Sequence, residues 1–148
     1  MQHIADAVKE HDAAALKNLF SPRARENAND LDSGLAYFLS FFPSGKMTWK
    51  LESFASGGDN DYPTETLELF ANYKVFAAGK KYDLYFADFT ADTAHANHLG
   101  IYALGVTPYN AQPATAPTAA SKAFDLWASQ FHSATTGSGT PGVYVPEK

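Results

Sequence analysis

The sequence predicts an α+β fold, in which helices at the amino-terminal end pack on one face of a curved antiparallel sheet of four to five strands. Apolar residues recur with a helical period up to residue 42, and with a period near two between residues 46 and 106. Because the helices precede the strands instead of alternating with them, the pattern favours α+β over α/β. The length of 148 residues and the 45% hydrophobic content suit one ordered domain.

The helices have recognisable starting residues. Residues 2–20 are typical of two short helices, the second of which begins after Asp12 as its N-cap. Ser21 followed by Pro22 predicts a third short helix, because proline is favoured at the first helical position. Leucine and phenylalanine repeat with helical spacing over residues 31–42, which predicts a fourth helix.

Four extended segments follow, and their apolar positions alternate. They are residues 46–54, 66–76, 81–89 and 98–106, with a tight hairpin connection at 78–80 and loops at 57–63 and 91–97. Apolar residues on both faces of the long strands indicate that the second face also needs cover, from a carboxyl-terminal helix or a second subunit.

The last part of the chain has a different composition. A linker rich in Pro, Ala and Thr is predicted at 108–117, then a helix at 119–131 and a flexible stretch at 135–142. Residues 143–145 either add a short strand to a sheet edge or form a mobile tail.

Composition excludes several functional classes. The absence of cysteine rules out disulfides, thiolate nucleophiles and zinc–thiolate sites. A net charge of −5 without a basic stripe argues against nucleic acid or an anionic membrane as a partner. No run of 18 apolar residues predicts a membrane span, and no apolar signal region opens the chain. We therefore expect a soluble protein, cytoplasmic or secreted with a removed signal.

Short motifs resemble one superfamily. The segment D-A-A-A-L-K-N-L-F-S at 12–21 resembles the opening helix of nuclear-transport-factor-two-like proteins, also called cystatin-like or SnoaL-like. K-Y-D-L-Y-F at 81–86 and G-I-Y at 100–102 are similar to an uncharacterised bacterial branch of that superfamily. The resemblance implies a cone-shaped domain over residues 1–106 with a pocket at its open end. Residues 107–148 lie outside the resemblance, and we expect them to form a linker, helix and tail that pack on the same domain. The resemblance also implies a homodimer through the outer sheet face.

Asp88 is the candidate catalytic residue. It shares a strand face with Leu84 and Phe86, so it points inward if they do. The resemblance implies that an inward carboxylate and a tyrosine can shuttle a proton, with Tyr73 or Tyr102 as the donor. The alternative is a solvent-exposed residue at a strand end, capping a turn, since aspartate commonly starts turns.

Five residues are candidates for lining a ligand pocket. They are Trp49, Tyr73, Tyr82, Asp88 and Tyr102, all on predicted strands. The alternative for each aromatic residue is an ordinary place in the core or the dimer face, because large aromatic side chains dominate cores.

Three other patterns are weak. His95 and His98 are spaced H-x-x-H, but in a predicted loop without a neighbouring glutamate, so no metal site is predicted. G-S-G-T-P-G at 137–142 matches a dinucleotide motif only in its letters, because no strand precedes it. The acidic residues at 59–61 lack the spacing of a calcium loop. No cofactor is predicted.

Three functional hypotheses remain. The first is a non-catalytic domain that binds a small apolar molecule or a protein segment. The second is a cofactor-free isomerase or dehydratase using Asp88 and a tyrosine. The third is an accessory domain whose sheet face docks a partner.

Overall fold

The computed structural model describes residues 1–29, 31–43, 45–60, 63–109 and 141–145. The helices are α1 Gln2–Glu10, α2 Ala13–Asn18, α3 Pro22–Asn27 and α4 Leu31–Ser40. The strands are β1 Met47–Asp59, β2 Thr66–Ala77, β3 Lys80–Asp92, β4 Gly100–Pro108 and β5 Gly142–Tyr144, and a 3₁₀ helix, Ala96–His98, lies between β3 and β4. The predicted α+β class is therefore confirmed.

The predicted helix starts are confirmed by their caps. The Asp12 carboxylate accepts a hydrogen bond of 2.8 Å from the backbone N–H of Ala15, which satisfies a free donor in the first turn of α2. The Ser21 hydroxyl oxygen accepts from the N–H of Ala24 at 3.1 Å, and Pro22 occupies the first turn of α3.

The strands form one open, mixed sheet in the order β1-β2-β3-β4-β5. The first four strands are antiparallel, as predicted, whereas β5 runs parallel to β4. Parallel neighbours require a long connection, and residues 109–141 supply it. The edge strand expected at 143–145 is thus present, and it adds to the β4 side of the sheet.

Two strands are longer than the sequence predicts. β1 continues to Asp59 and β3 to Asp92, so the predicted loops at 57–63 and 91–97 start too early. Gly58 and Asp59 still pair with β2, although glycine and aspartate have low strand propensity. Cross-strand pairing therefore outweighs local preference at these positions.

Turn and bulge geometry fixes which residues share a face. Ala78 and Gly79, with φ values of 47° and 76°, form a two-residue turn between β2 and β3, and the matching residues face each other along the hairpin. The pairing shifts by one residue at Glu52, Thr90 and Tyr102. Each shift is a bulge, which leaves one residue without a partner and twists the sheet locally.

The helices and one face of the sheet enclose the core. Its fully buried large side chains include Val8, Leu16, Phe20, Leu35, Phe38, Phe42, Val75, Leu84, Leu104 and Val106. The segment between α2 and α3 is joined to β4 by two backbone hydrogen bonds of 2.9 Å, from Ser21 to Ile101 and from Ile101 to Leu19. Gly100 has φ of 120°, and a Cβ there would lie 2.9 Å from the carbonyl oxygen of Leu19, so this contact requires glycine.

The predicted carboxyl-terminal helix at 119–131 lies outside the described residues, as do the predicted flexible stretch up to residue 140 and most of the predicted linker at 108–117. Among the described helices, none combines the length and the apolar character that a membrane crossing needs.

Candidate functional site

Trp49 and Tyr82 lie on the helix-facing side of the sheet. They are in one row across β1, β2 and β3, with Val75 between them. Tyr82 is buried, and the Phe42 ring contacts both residues, with centroid distances of 6.3 Å to Trp49 and 5.3 Å to Tyr82. Both predicted lining residues therefore pack against the end of the helix layer.

Tyr73 lies on the same face as Asp88 but far along the strand from it. Its ring stacks on Phe86 with a centroid distance of 6.2 Å and an interplanar angle of 14°. Tyr73 is opposite Leu84, so Asp88 is four residues, or about 13 Å, further along β3. The structure does not bring this tyrosine next to the carboxylate.

Asp88 is a half-buried residue inside a strand. β3 continues four residues past it, so the interpretation of Asp88 as a strand-end residue capping a turn is wrong. Its cross-strand neighbours are Leu69 and Ile101, both apolar. Burial among such neighbours raises the pKa of the Asp88 carboxyl, because an apolar environment disfavours the charged form.

Tyr102 is the bulged residue of β4, opposite the step between Ala87 and Asp88. Its ring packs edge-on against Phe89 at a centroid distance of 5.7 Å. Phe89 follows Asp88 directly in an extended strand, so the two side chains point to opposite faces. The bulge thus places Tyr102 on the Phe89 side of the sheet.

A cleft lies on the other face of the sheet from Trp49, Tyr73, Tyr82 and Asp88. It has a volume of about 220 Å³ and is lined by Ser53, Phe54, Ala55, Phe70, Ala71, Asn72 and Tyr85. Ser53, Asn72 and Tyr85 form one row across three strands, and Ala55 with Phe70 begins the next. A second depression of about 280 Å³ lies at the far end of the β1–β2 hairpin, between residues 56–60 and 65–67.

Asn72 supplies an unusual polar atom in the cleft wall. Within the described part of the chain, its side-chain oxygen Oδ1 is buried and has no hydrogen-bond partner. Beside it, the Tyr85 hydroxyl lies 3.3 Å from Oγ1 of Thr107, and burial raises the pKa of Tyr85 to about 12. The cleft therefore has largely apolar walls, and a neutral tyrosine and a buried acceptor lie within them.

A second cluster of polar residues lies around Asp92 at the end of β3. Its Oδ1 accepts hydrogen bonds from the backbone N–H groups of Ala94 at 3.1 Å and His95 at 2.8 Å. Its Oδ2 lies 2.6 Å from Nδ1 of His98, whose Nε2 lies 2.6 Å from Nη1 of Arg23. Burial alone would raise the pKa of Asp92, but the hydrogen bonds from His95 and His98 hold that pKa below its usual value.

The rings of His95 and His98 stack above Asp92, with centroids 4.7 Å apart and an interplanar angle of 19°. One ligand-type atom from each of the three residues lies within 4.8 Å of the others. The sequence predicts His95 in a loop at 91–97 and His98 at the start of the strand that follows it. Asp92 was not predicted as part of this group, because the sequence pattern ends β3 before it.

Sequence reasoning also missed Asn72 and Arg23. Whether Oδ1 of Asn72 finds a hydrogen-bond partner depends on what surrounds it in the sheet, and no local pattern carries that information. Arg23 reaches a histidine 75 positions later, and only the packing of α3 beside the 3₁₀ helix brings the two together.

Comparison with known proteins places the chain in one family. The order of four helices and then a sheet is compatible with the nuclear-transport-factor-two-like resemblance. No curated protein and no solved structure matches the chain significantly. A family profile matches residues 3–110, which include the cleft and the group around Asp92. The chain therefore belongs to the family described as Domain of unknown function (DUF5104).

Proposed function

We propose that this domain binds a small, largely apolar molecule that carries one hydrogen-bond donor, in the cleft between β1, β2 and β3. The observation that carries the proposal is the buried, unpaired Oδ1 of Asn72 in the wall of that cleft. Because Oδ1 is buried in the unbound protein, the Asn72 amide has to turn toward the cleft, where a donor group on a ligand would give this atom the partner that the described residues do not give it.

The unpaired acceptor affects the stability of the unbound protein. A buried acceptor without a partner destabilises the folded state by about 1–3 kcal/mol, and buried polar atoms are paired in the great majority of cases. A leucine of similar size would avoid that penalty. An asparagine at this position is therefore better explained by what it can bind than by the stability of the sheet.

The size and lining of the cleft limit the ligand. Its volume of about 220 Å³ is below the range of about 300–1,000 Å³ that is usual for sites of drug-sized molecules. Phe70 provides aromatic surface, and Asn72 provides the acceptor. These features fit a single aromatic or alicyclic ring with a hydroxyl or amino substituent.

The nuclear-transport-factor-two-like resemblance also implies a pocket. In this proposal the pocket lies on the opposite face of the sheet from the helices. In this proposal Trp49, Tyr73 and Tyr82 form the wall that separates the cleft from the helices. The expected homodimer through the outer sheet face also remains a proposal.

The test compares two ligands and two proteins. Phenol and toluene have the same ring, but only phenol can donate to Asn72. We expect chemical-shift changes at the cleft residues of the wild type, with phenol bound several-fold more tightly than toluene. In Asn72→Leu that preference should disappear while toluene still binds.

Asp59→Asn, far from the cleft, serves as the matched control and should keep the wild-type preference for phenol. The proposal fails if neither ligand perturbs the cleft residues. It also fails if Asn72→Leu discriminates between the two ligands as the wild type does.

A second candidate function is proton transfer by Asp88. Its support is the raised pKa of this carboxyl, since a general base works best when its pKa lies near the operating pH. The Asp88 signal, followed by NMR as the pH is raised, should titrate above the usual range. Titration at the value of a free aspartate would end this candidate and leave the cleft proposal untouched.

A further inference from the structure

We propose that Asp92, His95 and His98 form a binding site for a divalent transition-metal ion of the zinc class. The site is separate from the cleft, and the inference does not depend on the proposed ligand. It rests on the side-chain geometry of the three residues, on the turn that positions them, and on the open side of the group.

The three residues are close to the geometry that a metal ion needs. Oδ1 of Asp92 lies 3.4 Å from Nδ1 of His95, and Oδ2 lies 2.6 Å from Nδ1 of His98. Tetrahedral zinc with bonds of about 2.0–2.1 Å holds its ligand atoms about 3.3 Å apart. The His95 imidazole is already at that spacing from Oδ1, and the His98 imidazole, which contacts the other oxygen, has to move away from the carboxylate by less than about 1 Å.

Local backbone structure builds this arrangement. The Asp92 carboxylate is fixed by the N–H groups of Ala94 and His95, which close a turn at the end of β3. The 3₁₀ helix Ala96–His98 then has three residues per turn, so residues three apart lie above one another. The two histidines therefore stack without the α-helix that an H-x-x-H pair would otherwise need.

Two of the three side chains are largely buried, and the third is exposed to solvent. The side chain of Asp92 is 3% exposed and that of His98 is 14% exposed, whereas His95 is 61% exposed. The ring of Phe89 packs against His98 with a centroid distance of 6.0 Å. The group is thus anchored on one side and open on the other, and three protein ligands leave a coordination position for water.

Arg23 competes with the metal for His98. Its guanidinium can only donate hydrogen bonds, so the 2.6 Å contact requires Nε2 of His98 to accept and Nδ1 to carry the proton. A metal on Nδ1 displaces that proton to solvent, and Nε2 must then carry one. Nε2–H cannot accept from Arg23, so metal binding releases Arg23 and weakens the link between α3 and the 3₁₀ helix.

This competition predicts variants with opposite effects. Arg23→Gln removes a positive charge and offers a carbonyl oxygen that can accept from Nε2–H, as partners of metal-bound histidines commonly do. We expect it to bind Zn²⁺ about tenfold more tightly than the wild type, in line with the effect of such outer contacts. His95→Ala removes a ligand and should bind at least about tenfold more weakly.

The experiment is calorimetric titration of Zn²⁺ alone into the full chain, free of affinity tags and stripped with a chelator. Co²⁺ absorption gives an independent reading of coordination number. His3→Ala, on the exposed face of α1, is the matched control and should bind like the wild type. Circular dichroism on each variant confirms that it is folded.

Stoichiometric binding with a micromolar or lower Kd, weakened in His95→Ala and strengthened in Arg23→Gln, supports the site. Binding no tighter than millimolar in the wild type overturns it and leaves a structural Arg23–His98–Asp92 chain. Equal affinity in the wild type and His95→Ala also overturns it, since the ion then binds elsewhere.

Discussion

The ring of Phe42 lies 5.3 Å from the ring of Tyr82, centroid to centroid, and this contact joins the end of the helix layer to the middle of the sheet. Phe42 follows the last residue of α4 by two positions and is 1% exposed. It also contacts Trp49 on the edge strand, so one side chain connects α4 to two strands.

Phe42→Ala should lower the free energy of unfolding by about 3–5 kcal/mol, because the lost ring leaves a cavity that three elements cannot fill. Urea denaturation followed by fluorescence measures the change. Phe54→Ala, at a position that is 59% exposed, is the control and should cost less than about 1 kcal/mol. Equal losses in the two variants would mean that Phe42 does not hold the layers together.

A substitution in the turn between β2 and β3 should make the protein more stable. Ala78 has φ of 47°, a left-handed conformation that is unfavourable for alanine and more readily adopted by asparagine. Ala78→Asn should raise the free energy of unfolding by about 0.5–1 kcal/mol. Ala78→Val should lower it, since a branched side chain is disfavoured there. Thermal unfolding of the three proteins checks the order, and a stabilised valine variant would contradict it.

Stability should depend on pH through Asp88. Burial raises the pKa of this carboxyl in the folded protein. When the pH is above the pKa of the unfolded chain, the folded state therefore holds the proton more tightly than the unfolded state does. Its contribution to stability is therefore present at low pH and lost as the pH rises through the folded pKa. Glu68, whose pKa is also raised by burial, acts in the same direction.

Asp88→Asn removes this dependence. The variant should be more stable than the wild type at pH 7, and its advantage should disappear as the pH falls toward 4. Denaturant midpoints across this range measure the effect, with Asp59→Asn as the control for losing one exposed acidic residue. An advantage that grows as the pH falls would show that the sign is wrong.

Asn72 should lower the stability of the unbound protein, although it provides the acceptor for the proposed ligand. Asn72→Leu removes the unpaired buried acceptor and should raise the free energy of unfolding by about 1 kcal/mol in the absence of any ligand. Asn72→Asp should lower it, because a carboxylate is harder to bury than an amide. The same denaturation assay separates the two, and a destabilised leucine variant would indicate that Oδ1 is satisfied in solution.

Local signals in the sequence predicted most of the helices and the central hairpin. The capping side chains of Asp12 and Ser21 act within three residues of themselves, so their effect can be read without knowing the fold. The two-residue turn at Ala78 and Gly79 is also local. The strand ends were predicted less accurately, because Asp59 and Asp92 remain in strands through pairing with residues elsewhere in the chain.

The candidate sites depended on contacts between distant residues. The bulge at Tyr102 turned a predicted partner of Asp88 toward Phe89, and a bulge depends on how two strands register with each other. The alternation of β3 did place Asp88 on the same face as Leu84, as expected. Neither expected donor lies beside Asp88 on that face, because Tyr73 lies further along the sheet and Tyr102 lies on the Phe89 side.

By itself, the sequence determined the α+β class, the starts of α2 and α3, and the hairpin between β2 and β3, because each depends on side chains close together along the chain. Tertiary structure alone decided that Oδ1 of Asn72 has no partner among the described residues and that Arg23, Asp92 and His98 meet. Those relationships depend on register, bulges and the packing of α3 beside the 3₁₀ helix, and all three are set by the whole fold.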